Sequence, residues 1–376
     1  MKIIVHGPED GRPAAPVSIP IPHDRVDPAR MIGLVNLETS EPKPLQVDSR
    51  GHFIWWEEPL EEDEIRTYRL HGAGALADSE RVVINEFDDH VTVTQSGERI
   101  ATYRFGADLP RPYVEDLSTP RGVGLTRPVP AGAAAVDLPD PHHRGCWTGW
   151  ADVNGVDHWH DGPGCGQQRH RRFGLCASGP VLGRIGAVID WLDPGGRIQL
   201  TEQRLYTFYV SSGSIRIVDL VQRFGTNGAS ITFGDTPNGG LCALRVAPAL
   251  STAGGGRVSN SEGETGQAEC WGSAARWCHY GGSLNGASVG AAVLDSPLNI
   301  RHPTHWLVTD SGLMAANPFG LAEFVHDAEA HGGRTWQHND AVMFRYRLLL
   351  HDGPLSPMAI EAHYSAAAHA VHVDVE

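Results

Sequence analysis

One feature constrains the fold of this chain more than any other: β-branched runs alternate with tight glycine-containing turns, and no helical period separates them. Val91-Thr92-Val93-Thr94 leads into Gln95-Ser96-Gly97-Glu98, and the chain returns over Arg99 to Phe105. That spacing predicts a β-hairpin. Arg184 to Trp191, the turn Asp193-Pro194-Gly195-Gly196 and Arg197 to Tyr209 repeat the pattern, and Ser211-Ser212-Gly213-Ser214 turns the chain again into Ile215 to Phe224. Val289 to Leu294 and Val342 to Leu350 read as late strands. Only Ser356 to His369 reads as a helix, with Pro357 just inside a serine start. Strands joined by tight turns cannot make the crossovers of a parallel sheet. The expected fold is therefore all-β: a large antiparallel β-sandwich with few short helices.

Two units are expected, a β-rich extension over residues 1–75 packing on a main sandwich domain over residues 76–376. Pro8, Pro13, Pro16, Pro20, Pro22 and Pro28 make the first 30 residues extended or irregular. The acidic run from Glu57 to Glu64 reads as a solvated loop. The stretch from Gly106 to Gly183 is long for a connection, and long structured loops often carry function.

Charge and residue usage exclude several classes. Lys+Arg 30 against Asp+Glu 45 gives a net charge of −15, so neither nucleic acid nor an anionic membrane is an expected partner. Lys2 and Lys43 are the only lysines. Lys2 lies at the start of the chain and Lys43 in Glu-Pro-Lys-Pro; neither makes a Gly-Lys-Ser/Thr step or a buried amine, which argues against P-loops and lysine imines. No G-x-G-x-x-G occurs, and no nucleotide cofactor is expected. The six cysteines form no C-x-x-C pair. The N-terminal apolar run is too short for a signal peptide, and no run approaches the length of a membrane span. The expectation is a cytoplasmic protein with reduced cysteines. Gly286-Ala287-Ser288-Val289-Gly290 matches the G-x-S-x-G nucleophile elbow. A turn precedes its serine and a strand follows, the wrong order for a serine hydrolase.

Histidine points the other way. There are 20, and five of them (His142, His143, His158, His160, His170) fall in residues 142–170. Arg144, Trp147 and Trp150 lie in the same stretch. Imidazoles that titrate near neutrality, guanidinium groups that grip oxyanions and indoles that stack on sugar rings together suit a polar ligand. On a strand, His158 and His160 would face the same way and could offer two ligands to a metal. His302-Pro303-Thr304-His305-Trp306 is stiffened by its proline and could position His305, while Asn317 in Asn317-Pro318-Phe319-Gly320 could present an amide. Glu202 and Arg204 share a strand face as an ion pair or a ligand site, and Asp235 lies in Gly234-Asp235-Thr236.

These motifs together resemble a bacterial family often labelled "methane oxygenase PmoA", or PmoA-like. The matching pieces are Arg111-Pro112-Tyr113, Pro141-His142-His143-Arg144-Gly145, Asp152-Val153-Asn154-Gly155-Val156-Asp157, Gly234-Asp235-Thr236, Arg301-His302-Pro303-Thr304-His305-Trp306 and Ala316-Asn317-Pro318-Phe319-Gly320. They run in order over roughly residues 80–355. Methane oxidation by a membrane oxygenase would need transmembrane helices, so that activity is rejected. The resemblance implies a galactose-mutarotase-like supersandwich of the kind used by carbohydrate enzymes. It also implies an aromatic residue at the position of His158, which leaves His142, His143 and His305 as the stronger candidates.

The expected function is a carbohydrate-active lyase or hydratase that acts on a keto sugar or keto-glycoside. A ketone acidifies the neighbouring C–H, so one imidazole can remove the proton. His143 and His305 are the expected acid–base pair and Arg144 the oxyanion clamp. Trp147, Trp150, Glu202, Arg204, Asp235 and Asn317 are the expected substrate contacts, and His142 and His160 the ligands of a divalent metal ion if one assists. A sugar epimerase or mutarotase, or a non-catalytic carbohydrate-binding protein, would use the same surface. A homo-oligomer is compatible with all three readings.

Overall fold

A computed structural model describes residues 1–21, 31–72, 81–129, 139–211, 213–226, 228, 230–337 and 340–376. The chain is 51% strand and 6% helix, an all-β protein. Two eight-stranded antiparallel sheets make the sandwich. The larger runs in the order Gln167–Ala177, Leu182–Leu192, Ile198–Tyr209, Ile215–Thr226, Ala341–Asp352, Ala287–Asp295, Trp277–Leu284 and Arg257–Asn260. The second runs His305–Thr309, Leu313–Asn317, Gly239–Arg245, Cys146–Trp150, Tyr113–Glu115, Glu98–Arg104, His90–Gln95 and Val82–Glu86. Their facing sides share one core. Val93, Tyr103, Cys146, Trp150 and Leu244 from the second sheet meet Ile185, Ile189, Leu200, Tyr206 and Leu220 from the larger one.

The hairpins follow local chemistry. Ser96 (φ 52°) and Gly97 (φ 83°) are both left-handed, as a two-residue type I′ turn requires. Asn285 (φ 50°) and Gly286 (φ 81°) make the same turn between Trp277–Leu284 and Ala287–Asp295. The G-x-S-x-G sequence is therefore a hairpin corner. The helix spans Pro357–Ala368, and the Ser356 hydroxyl caps it by accepting from the Ala359 amide at 3.2 Å. No helix among the described residues is long and apolar enough to cross a membrane.

Two expectations change. Residues 106–183 are not one long loop, because Tyr113–Glu115 and Cys146–Trp150 lie in the middle of the second sheet. Cys146–Trp150 is buried along its whole length, so it lacks the alternation that marks a half-exposed strand. Glu57 is not solvated. It is 1% exposed and accepts from Trp55 Nε1 (2.7 Å), Tyr68 Oη (2.6 Å) and Arg66 Nη1 (3.0 Å). Of the two expected forms of the proline-rich start, extended and irregular, the extended one holds at the strands Lys2–His6 and Ala15–Pro20.

The N-terminal residues build a five-stranded and a three-stranded sheet around Ile3, Val5, Phe53, Trp55 and Tyr68. The expected boundary after residue 75 lies outside the described residues. The strand His372–Val375 joins the five-stranded sheet beside Lys2–His6. The extension packs on the outer side of the larger sheet. Ile54 meets Val181, Leu182, Ile217 and Leu349, and Asp48 pairs with Arg184 at 3.2 Å.

Candidate functional site

The loop before Cys146–Trp150 and the bend after it bring three imidazoles together on the outer side of the second sheet. The His142 ring lies 4.2 Å from His143 and 4.9 Å from His160, centroid to centroid. His143 stacks on Trp147 at 5.4 Å, and Trp159 closes the far side of that pair. Gly145 lets the chain pass here: its φ is +54°, and a side chain would strike the Val114 carbonyl. Residues 157–160 do not form a strand. The Asp157 carboxylate accepts from the Trp159 amide (2.8 Å) and the His160 amide (3.0 Å) and bends the chain. His160 thus turns to the His142 side. His158 turns inward, 1% exposed, against Trp191, so the expected shared face of His158 and His160 does not exist.

A hydrogen bond at Nδ1 orients each of the two flanking imidazoles, His143 and His160. Arg245 Nη1 donates to His143 Nδ1 at 3.2 Å, which leaves the His143 proton on Nε2. His160 Nδ1 donates to Asp157 at 2.8 Å, so in the neutral ring Nε2 is the acceptor. Burial pushes the His143 pKa down to about 2, helped by the neighbouring His142, Arg245 and Arg127. Burial and His160 push His142 down to about 4. Both rings are therefore neutral at pH 7. Burial opposes the Asp157 charge, but hydrogen bonds from His160 and Trp159 hold its pKa below the usual carboxylate value.

Cations frame the cluster. Arg144 Nη2 and Arg111 Nη2 grip opposite oxygens of Asp161, at 3.0 and 2.5 Å. Arg111 also holds the Trp159 and His160 carbonyls, and Arg127 holds those of Pro139, Asp140 and His143. Arg111 and Asp157 lie within motifs visible in the sequence. Asp161 directly follows His160. Arg245, at the end of a fully buried strand, carries no local signal.

The remaining expected contacts are structural. Trp147 and Trp150 are both fully buried, so neither offers a face to a sugar. Trp147 is the floor under His143, and Trp150 lies in the core with its Nε1 donating to Gly234 O at 3.0 Å. Glu202 and Arg204 form a closed ion pair inside the sandwich (2.6 and 2.7 Å), joined by Trp191, Gln222 and Gln168. Asp235 accepts from the amides of Leu321 (2.7 Å) and Gly332 (2.6 Å) and clamps the loop between them. Asn317 spends its whole amide on Thr236, Pro237, Phe319 and Gly320.

The structure does not bring His305 to His143. Trp147, Ala243, Ala315 and Leu307 are successive cross-strand partners, and His305 lies two residues beyond Leu307. Three strand spacings alone separate the two histidines by about 14 Å. His305 donates from Nδ1 to Gly272 O at 2.7 Å and stacks on Phe324. Its neighbour His302 joins a different chain of bonds. His302 Nδ1 donates to Asp295 (2.7 Å), and its Nε2 accepts from Tyr364 Oη (2.9 Å). That chain borders a cleft between the helix and the larger sheet, lined in part by Asp219, Asp295, Arg345 and Arg347.

His142 and His160 do meet, as a metal pair would require. Among the described residues no third histidine, cysteine or carboxylate joins them at a common point; the one such triad is elsewhere.

Fold and site together define an all-β sandwich with a histidine–arginine cluster on the outer side of one sheet. Within that class, residues 90–365 match DUF6807, a family of unknown function, and the chain belongs to it. The match takes in every residue of the cluster. No curated protein matches the chain.

Proposed function

We propose that this protein is a carbohydrate-active enzyme that acts on a keto sugar or keto-glycoside by acid–base elimination or hydration at the His142–His143–His160 cluster. The observation that carries the reading is the pair of opposite tautomers. His160 presents an Nε2 lone pair backed by Asp157, the arrangement of a general base. His143 presents an Nε2–H from a neutral ring, which can donate to the oxygen of a ketone as it becomes an enolate.

In this mechanism His160 removes the proton beside the ketone. The electron pair moves onto the carbonyl oxygen, where His143 donates a hydrogen bond and Arg144 supplies positive charge. Collapse of the enolate expels the β-oxygen substituent, which takes a proton from the imidazolium of His160. Hydration is the reverse addition of water. His305 lies too far away to share this proton transfer. A divalent ion held by His142 and His160 would supply Lewis acidity at the same ketone and is the metal-assisted form of the reading. What favours a sugar ligand is the PmoA-like resemblance and the galactose-mutarotase-like supersandwich that this resemblance implies. In this reading the protein works in the cytoplasm on a small sugar or glycoside, with no nucleotide cofactor, nucleic acid or membrane partner.

The test is turnover of keto-glycosides, read as release of the aglycone. His160→Ala and His143→Ala are each expected to lower kcat by about 10²-fold or more, the usual share of a positioned acid or base. Unchanged turnover in both variants would sink the mechanism. Proton NMR that showed an inverted centre and no released group would favour an epimerase instead.

A further inference from the structure

The cross-strand pair that joins the strands Lys2–His6 and His372–Val375 has a side-chain set of its own, away from the cluster described above. His6 faces His372 in register, and Asp374 lies two residues further along the same side of the sheet. The valines between them, Val373 and Val375, turn to the opposite side and pack against the core of the extension. His6, His372 and Asp374 are 33%, 70% and 51% exposed in their side chains. The two rings stand 4.9 Å apart. One carboxylate serves both: Asp374 Oδ2 lies 2.9 Å from His6 Nε2, and Oδ1 lies 3.3 Å from His372 Nε2. The three ligand atoms all lie within 4.8 Å of one another.

We propose that His6, His372 and Asp374 form a binding site for a divalent transition metal, with zinc the best fit, that ties these two strands together. Two imidazole nitrogens and one carboxylate oxygen are a common three-residue zinc set, with water as the fourth ligand. Tetrahedral zinc at bond lengths near 2.1 Å needs its ligand atoms about 3.3 Å apart. The observed separations reach that by small side-chain rotations, and the rigid ladder already fixes the backbone. The carboxylate now accepts a hydrogen bond from His6 Nε2 and lies within ion-pair range of His372 Nε2. A metal would take the place of any proton on these nitrogens and release it to solvent. The site also has a structural use. His372–Val375 is a four-residue edge strand that, among the described residues, pairs only with Lys2–His6, and His6 and Asp374 are 368 residues apart in sequence. A metal bond between them would hold the short strand in place.

The experiment is a zinc titration of the full chain, stripped with chelator and followed by calorimetry and thermal melting. One zinc per chain is expected in the micromolar range, with a higher melting temperature in its presence. His6→Gln, His372→Gln and Asp374→Asn should each weaken binding at least tenfold and abolish the rise. All three side chains are partly or well exposed, so these variants keep the core intact. The double variant His142→Gln/His160→Gln should bind zinc as the parent does. Absence of zinc binding at about 100 µM, or parental binding in all three variants, overturns the proposal. Loss of binding only in the His142/His160 variant also overturns it, and would instead support the metal-assisted form of the keto-glycoside reading.

Discussion

Arg245 donates a hydrogen bond across 3.2 Å to Nδ1 of His143, and this contact decides which nitrogen of a buried imidazole carries the proton. The two residues come from different parts of the chain, 102 apart in sequence. His143 is 6% exposed and Arg245 4%. The neutral ring accepts from the cation, and the half-exposed Asp140 carboxylate, 3.7 Å from Arg245 Nη1, supplies the balancing charge.

Removal of that donor should scramble the tautomer. In Arg245→Met, nitrogen NMR of His143 is expected to show both tautomers at pH 7, where the parent shows only the Nε2–H form. With a keto-glycoside substrate, kcat should fall while KM changes little, because the lost function is proton placement. A single Nε2–H signal in the variant would show that Arg245 does not set the tautomer.

Acid should unfold this protein early. Burial lowers the pKa of His142, His158, His170 and His363 to about 4, of His279 to about 3 and of His143 to about 2. The unfolded value is about 6.5. Above pH 6.5 both states are neutral, and these groups add no pH dependence. Between pH 6.5 and 4 only the unfolded chain takes up protons, so stability falls as pH drops. Below about 4 the folded rings begin to protonate and the slope flattens. Urea unfolding followed from pH 7.5 to 4.5 should show uptake of up to about five protons near pH 5.5. Uptake of one or fewer would contradict the buried, neutral state of these rings.

The Glu202–Arg204 pair should behave as core. Both side chains are fully buried, and their bonds are 2.6 and 2.7 Å. Burial lowers the Arg204 pKa, but Glu202 together with Tyr206 and Tyr103 outweighs it and the net shift is upward. Arg204→Met leaves a carboxylate stranded in the interior and is expected to cost about 3–5 kcal/mol in urea unfolding. The double change Glu202→Leu/Arg204→Met should recover much of that loss. A single variant as stable as the parent would mean that water reaches the pair.

Asp235 should control the loop of residues 321–332. Its carboxylate satisfies the amides of Leu321, Ala322 and Gly332. Asp235→Ala is expected to cost about 1–3 kcal/mol, the usual penalty for buried donors left unpaired. Limited proteolysis should then cut this loop first. An unchanged digestion pattern would show that other contacts hold it.

The class of fold was legible because its signals are local. Ser96-Gly97 and Asn285-Gly286 specify their turns within two residues, and Ser356-Pro357 specifies a helix start within two more. Cys146–Trp150 was hidden because a strand covered on both sides has no alternation to read. The site was legible in part. The crowding of His142, His143 and His160 in the sequence is also a crowding in space, and Arg144 reaches the same cluster through Asp161. The tryptophans were misplaced, since an indole that stacks on a sugar and an indole that fills a core look alike in a sequence. As substrate contacts Glu202, Asp235 and Asn317 were misplaced for a related reason, while the ion-pair reading of Glu202 and Arg204 is the one the fold contains. A polar side chain consumed by buried backbone and side-chain partners cannot be told from a free one until those partners are known.

By itself, then, the sequence determined the all-β class, the positions of the main turns and the region of densest histidine. Turn chemistry and side-chain period act over a few residues, which is why they can be read directly. Tertiary structure alone decided that Arg245 fixes His143, that His158 and His160 part company, and that His305 lies three strands away. It also decided that His6 and Asp374 meet across the edge of a sheet. Each of these is a contact between strands distant in sequence or a turn of one side chain toward a core, and only the closed ladders and buried faces of the folded chain set them.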